Sequence, residues 1–160
     1  VGVFIVHNHE EFEKILPEAF KYDHELLLEK FIKGSELTVS IVNDETLTPI
    51  EIVTPNGFYD YDAKYTHKNG ETRYLCPPEN IPQNIQTKAS DLAMKFYKSA
   101  GCRDLLRVDF IIDANGSIYM IEANNLPGFT ESSLVPKAFK QTKGSMEMLC
   151  AQLVQTALKR

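Results

Sequence analysis

Two short segments carry the residue types that could do chemistry. Leu105-Leu106-Arg107-Val108-Asp109-Phe110-Ile111-Ile112 and Ser117-Ile118-Tyr119-Met120-Ile121-Glu122-Ala123-Asn124 flank Asp113-Ala114-Asn115-Gly116. Asn-Gly between alternating apolar runs is the strongest short signal for a β-hairpin. With Asn115-Gly116 as a two-residue loop, Asp109 falls opposite Glu122 and Arg107 opposite Asn124, so one face shows two carboxylates, a guanidinium and an amide. A four-residue loop shifts the pairing by two and keeps these side chains on that face, whereas a three-residue loop breaks the arrangement. Carboxylates directly opposite one another repel, so something positive belongs between them. Asp109, Glu122 and Asn124 offer oxygen only, a donor set that suits Mg²⁺, which keeps waters and takes substrate phosphates for the rest of its shell. The plainer alternative is that Arg107 neutralises the acids on a solvated sheet face. Downstream, Asn124-Asn125-Leu126-Pro127-Gly128-Phe129-Thr130-Glu131-Ser132-Ser133-Leu134 leaves the hairpin with small polar residues and free N–H groups. Such a loop can present donors to a carboxylate or a developing oxyanion; a plain Pro-Gly turn before a Ser-capped helix is the alternative.

The elements that position these residues follow from periodicity. Asn8 with Glu11 three residues on, then Phe12, Ile15, Leu16, Ala19 and Phe20, predicts a helix over about 9–21 that Pro17 should kink or split. Leu26 to Ile32 and Glu36 to Val42 read as strands, and Asn43-Asp44-Glu45 as a turn into a third strand, about 47–54. Residues 55–83 hold no period; a loop of that length is functional or disordered, and Tyr59, Tyr61, Tyr65 and Tyr74 argue against disorder. A helix over about 83–99 stopped by Gly101, the hairpin over 105–124, a short helix near 136–141 and a last one over about 145–158 complete the chain. Met146, Met148, Leu149, Leu153 and Val154 are the expected buried stripe of that last helix. Strands, then helix, hairpin and helices in this order give an α+β class with an antiparallel sheet flanked by helices.

The 160 residues carry 17 Lys+Arg against 22 Asp+Glu, a formal net charge of −5, with 43% hydrophobic residues. That balance argues against a nucleic-acid-coating surface, and no apolar run approaches the ~20 residues of a membrane span. Cys76, Cys102 and Cys150 are an odd number outside any metal spacing, which points to a reducing cytoplasm, and Cys76 and Cys102 read as core fillers. His7, His9, His24 and His67 are isolated and read as surface or packing residues.

Arg107-x-Asp109 followed by Glu122-Ala123-Asn124-x-x-Pro127-Gly128-x-Thr130-x-x-Ser133-Leu134-Val135-Pro136 resembles the C-terminal portion of the D-alanine–D-alanine ligase family, ATP-grasp enzymes of bacterial cell-wall (peptidoglycan) synthesis. Gly57-Phe58-Tyr59-Asp60-Tyr61-Asp62-Ala63-Lys64-Tyr65 is similar to that family's omega loop, and Glu29-Lys30-Phe31-Ile32-x-Gly34-x-Glu36 to its adenine-binding hinge. Three motifs in order, collinear over about residues 1–158, make the resemblance specific.

The resemblance implies a set of roles. ATP would lie against Glu29, Lys30, Phe31 and Ile32, with Glu36 on the ribose and Lys64 at the transferring phosphate. Asp109, Glu122 and Asn124 would hold two Mg²⁺ ions, with Mn²⁺ able to substitute. Arg107 and the Gly128 N–H would stabilise charge at the reacting carbonyl, while Ser133 and Leu134 would bind the carboxylate of the second D-alanine. Tyr65 accompanies D-alanine as second substrate in the family, where relatives forming D-alanyl-D-lactate differ. Residues 1–33 would end the central ATP-grasp subdomain and 34–160 form the C-terminal domain with an omega loop over 55–83. The N-terminal domain that binds the first D-alanine would be absent, leaving the isolated fragment inactive. A cytoplasmic homodimer is implied for the full-length enzyme, with no nucleic-acid or membrane partner. Asn125 and Phe129 depart from the family's usual Thr and Met without touching these roles. Two other readings stay open: another ATP-grasp carboxylate–amine ligase, and a non-catalytic nucleotide- or Mg-binding fragment.

Overall fold

Helix and strand signals in the sequence become elements only where a partner or a cap completes them. A computed structural model describes residues 2–54 and 72–159, so the 55–71 part of the expected omega loop lies outside the described residues. The chain divides into two compact units, Val1–Ile32 and Lys33–Arg160.

In the first unit, α1 (His9–Ala19) starts where Asn8 Oδ1 accepts the Glu11 N–H at 2.9 Å, and the Glu11 carboxylate in return accepts from His7 N and Asn8 Nδ2. These reciprocal bonds satisfy N–H groups that have no partner inside the helix. Pro17 neither splits nor interrupts α1, because it falls in the last turn, where little helix remains to be disrupted. Residues 26–32 form no strand, contrary to the expectation from their apolar run. Leu26, Leu27, Leu28 and Phe31 are exposed, and residues 26–32 take no place in the described sheet. A strand is defined by the ladder another strand completes, and apolar composition alone does not supply one.

The second unit is built on an antiparallel sheet. Its strands are β1 (Ser35–Val42), β2 (Glu45–Thr46), β3 (Ile50–Val53), β4 (Arg73–Leu75), β5 (Leu105–Ile112) and β6 (Ile118–Asn124), in the order β4-β3-β1-β5-β6 with β2 also on β1. Asn43 and Asp44, both at positive φ, make the two-residue turn that twists β1 into β2. The third strand begins at Ile50 rather than 47, because Pro49 has no N–H to give to the ladder. Helix α2 (Gln83–Ser99) closes with Cys102 N–H on Tyr97 O and Gly101 N–H on Lys98 O, an arrangement that needs the positive φ of Gly101.

Central strand β1 is buried on both faces. Toward α2 it presents Leu37, Val39 and Ile41, which join Leu106, Val108, Phe110 and Ile112 of β5 and Ala89, Ala93 and Tyr97 of α2 in one core. On the other face, Val42, Ile50 and Ile52 pack under α3 (Leu134–Thr142) and α4 (Met146–Ala157) through Leu134, Val135, Ala138, Phe139 and Leu149. Of the stripe expected on α4, only Leu149 is fully buried; Met146 and Leu153 pack against this core, whereas Met148 and Val154 are exposed. The two helices leave the β5–β6 part of this second face uncovered.

Two predictions test this packing. A Cβ on Gly34 would lie 2.1 Å from the Ile112 carbonyl oxygen, a backbone atom that cannot step aside. Gly34→Ala is therefore expected to cost about 3 kcal/mol, the upper end of overpacked sites, read from urea-unfolding midpoints. Burial also pushes the Cys76 thiol up to about 11. At pH 8 it stays protonated, so alkylation followed by mass spectrometry should modify exposed Cys150 well before Cys76 in the native protein.

Candidate functional site

The polar part of the second sheet face is assembled by register. Thr38 pairs with Asp109 and Ser40 with Arg107 across β1 and β5, while Asp109 pairs with Glu122 and Arg107 with Asn124 across β5 and β6. Alternation then puts Glu36, Thr38, Ser40, Arg107, Asp109, Glu122 and Asn124 on one face.

The hairpin reaches this pairing by a route the sequence did not indicate. Asp113 N–H bonds Ser117 O and Gly116 N–H bonds Asp113 O, so the loop has three residues, Ala114-Asn115-Gly116, with Gly116 at φ +77. The Asp113 carboxylate accepts from Asn115 and Ser117 N–H groups and is held below its ordinary value, chiefly by the Ser117 bond. Such a loop alone would set Asp109 out of step with Glu122. A bulge at Ile121, where Phe110 pairs with Met120 and Asp109 with Glu122, restores the step. Two one-residue irregularities cancel, and the expected face survives an unexpected turn.

Arg107 binds both acids. Its Nε lies 3.0 and 3.1 Å from the two oxygens of Asp109, and its Nη2 lies 2.7 Å from Asp109 Oδ2 and 2.8 Å from Glu122 Oε1. Burial works against the guanidinium's charge, but the hydrogen bonds and charges of Asp109 and Glu122 outweigh it and hold its pKa above the ordinary value. Because one nitrogen reaches both carboxylates, their oxygens converge on one point that a positive charge fills. Asp109 Oδ1 also accepts the Thr38 hydroxyl at 2.6 Å. Asn124 turns its Oδ1 to the Leu126 N–H at 3.0 Å, which starts the following loop. Among the described residues there is no cluster of three or more His, Cys, Asp or Glu. Asp109 and Glu122 offer two carboxylates of the kind a hard cation would take, its shell completed by phosphate or water.

In the next loop Ser133, although it precedes α3, does not cap it. Its hydroxyl accepts the Thr130 N–H at 3.1 Å and shares a hydrogen bond with Thr130 Oγ1 at 2.9 Å. Gly128 lies against that hydroxyl, where a Cβ would come within 3.0 Å. Leu134 buries its side chain in the second core, so what it can offer a ligand is its N–H.

Of the other expected site residues, Glu36 sits on β1 beside a groove lined by Gly34, Glu51, Ile52 and Asn80. Glu29, Lys30, Phe31 and Ile32 lie in the first unit, in a stretch without regular structure. Lys64 and Tyr65 lie outside the described residues. Two residues went unnoticed in the sequence. Thr38 has no signal in the sequence beyond its place in the strand from Glu36 to Val42. Glu51, 2% exposed, accepts the Glu79 and Asn80 N–H groups and a hydrogen bond from Asn80 Nδ2, anchoring residues 79 and 80 to β3. The signal for Glu51 was a single acid inside Ile50-Glu51-Ile52-Val53, since a carboxylate in an apolar strand must find donors.

The antiparallel sheet flanked by helices is the fold of the ATP-grasp D-alanine–D-alanine ligase structures it superposes on. The family model described as "D-ala D-ala ligase C-terminus" matches residues 1–155, and the chain belongs to that family. It is 40% identical over 157 residues to the D-alanine–D-alanine ligase of Pseudoalteromonas atlantica, covering 98% of this chain and 48% of that protein. To the ligase of Pelotomaculum thermopropionicum it is 40% identical over 161 residues, covering 99% and 50%. The crystal structure of the Bacillus anthracis ligase complexed with ATP superposes with a TM-score of 0.80 at 28% identity, covering 99% of this chain and 50% of that one. The chain spans about half the length of the relatives it matches. No helix among the described residues is long and apolar enough to cross a membrane.

Removing Arg107 would leave two facing carboxylates without their shared cation. Arg107→Ala is expected to cost roughly 2–4 kcal/mol, below a fully buried pair because Glu122 is half exposed, and adding Glu122→Gln should recover part of the loss. Urea denaturation of the single and double variants measures both.

Proposed function

We propose that this chain is the ATP-binding and catalytic part of a ligase that joins two D-alanines through an acyl phosphate. The observation that carries the reading is the convergence of Asp109 and Glu122 on Arg107, in a chain 40% identical over nearly its whole length to D-alanine–D-alanine ligases. A carboxylate is a poor acylating agent, so activation by ATP precedes attack by the second amine, and each step gathers negative charge on oxygen. Groups already aimed at that charge lower the barrier without reorganising.

In this reading Asp109, Glu122 and Asn124 hold two Mg²⁺ ions, which neutralise phosphate charge when bound. Arg107, with its side chain largely enclosed, meets the reacting carbonyl together with the Gly128 N–H. Ser133, fixed by Thr130, and the Leu134 N–H receive the carboxylate of the second D-alanine. The backbone of Lys30 to Ile32 with Phe31 and Glu29 takes the adenine, and Glu36 the ribose. Lys64 reaches the transferring phosphate, and Tyr65 belongs with D-alanine as second substrate. Residues 1–33 would close the central subdomain and 34–160 form the C-terminal domain; the loop expected over 55–83, which the fold interrupts with β4 at Arg73–Leu75, would exclude water from an intermediate that water destroys.

The test is D-alanine-dependent phosphate release with ATP and Mg²⁺ in the intact gene product. Arg107→Ala is expected to slow it about 10²–10³-fold, equivalent to the ~3–4 kcal/mol lost with one preorganised donor. Asp109→Asn and Glu122→Gln should raise the Mg²⁺ requirement as well as lower the rate. Full activity in all three would overturn the reading.

A further inference from the structure

A carboxylate that is to receive a cation must be held in one rotation, and what holds Asp109 is worth asking. Arg107 contacts both of its oxygens, with Nε almost equidistant from the two at 3.0 and 3.1 Å, and shares Nη2 with Glu122. Its donors are divided between the two acids, and in the reading above they also serve the reacting carbonyl. Thr38 is placed differently. Its hydroxyl lies 2.6 Å from Asp109 Oδ1, the length of a charge-assisted O–H···O⁻ bond, while its other acceptor among the described residues, Val108 O, is 3.5 Å away. The proton is therefore committed to the carboxylate.

Thr38 is also fixed in its own right. It is 1% exposed on the strand that pairs with β5 over eight consecutive residues, directly opposite Asp109, and its β-branched side chain has little rotamer freedom. Burial alone does not explain the bond. Ser40, the next residue on the same face and opposite Arg107, buries its hydroxyl without a partner among the described residues. As a neutral donor, Thr38 orients Asp109 without cancelling the charge that attracts a cation.

We propose that Thr38 is the positioning residue of the cation site, holding Asp109 Oδ1 so that the carboxylate is already aimed when a nucleotide-bound divalent cation arrives. This rests on the ligase reading of the same site. Losing an outer partner of a metal-ligating carboxylate typically weakens the metal about 10- to 100-fold.

The experiment is titration of the intact gene product with Mn²⁺ in the presence of a non-hydrolysable ATP analogue, followed by EPR of the free ion. Thr38→Val, which keeps shape and β-branching, is expected to weaken Mn²⁺ about 10- to 100-fold with little change in KM for D-alanine. Thr38→Ser should restore most of the affinity, because it returns the hydroxyl. Thr38→Ala, read beside thermal melting, serves if the valine variant fails to fold, and should weaken Mn²⁺ to a similar extent. Wild-type-like Mn²⁺ affinity in a folded Thr38→Val or Thr38→Ala variant, or no rescue by Thr38→Ser, would overturn the role of Thr38 alone. Absence of nucleotide-dependent Mn²⁺ binding in the wild type would instead overturn the ligase reading and this proposal with it.

Discussion

Two carboxylates on neighbouring strands, directly opposite one another, are unfavourable unless a positive charge joins them. Arg107 supplies it, and the face around it is arranged in consequence. The register of β1, β5 and β6 brings Thr38, Asp109 and Glu122 side by side, and α3 and α4 cover the aliphatic part of the same face while leaving this part open. In a partly buried setting, attraction between a guanidinium and two acids is stronger than in water, but so is the penalty for desolvating them. The site is tolerated because each partner finds another: Arg107 has both acids, and Asp109 has Arg107 and Thr38.

The scaffold answers that demand with an asymmetric sheet. On the α2 side the inward residues of β1 and β5 are apolar, so the core there can be close-packed and rigid. On the opposite side one strand, β1, changes character along its length, from Glu36 through Thr38 and Ser40 to Val42. The rigid side fixes the backbone to which the polar side is attached. A rigid backing of this kind lets a few hydrogen bonds hold the polar face in place.

Much of this was legible in the residues. The α+β class, α2 from 83 to 99, the hairpin and the face shared by Arg107, Asp109, Glu122 and Asn124 all follow from periodicity and from Asn-Gly. What was not legible has physical reasons. The apolar run at 26–32 looks like a strand because composition reports hydrophobicity, whereas a strand requires a partner that only the fold can provide. The three-residue loop was missed because Gly116 serves that turn as readily as a two-residue one, and the bulge at Ile121 carries no special residue to mark it. The two irregularities offset one another, so the face expected from a two-residue turn is also the face that a three-residue turn and a bulge produce. Thr38 was invisible for a different reason: its importance lies in what stands opposite it 71 positions away.

The bulge at Ile121 has one more effect. Strand β6 ends the sheet among the described residues, and it exposes Tyr119, Met120 and Ile121 in succession. A straight apolar margin of that kind invites another chain to extend the ladder, the first step of aggregation. The extra residue throws the outward N–H and C=O groups out of step, and the carboxylate of Glu122 follows at once. The irregularity that aligns the two acids thereby also makes the margin a poor template for self-association.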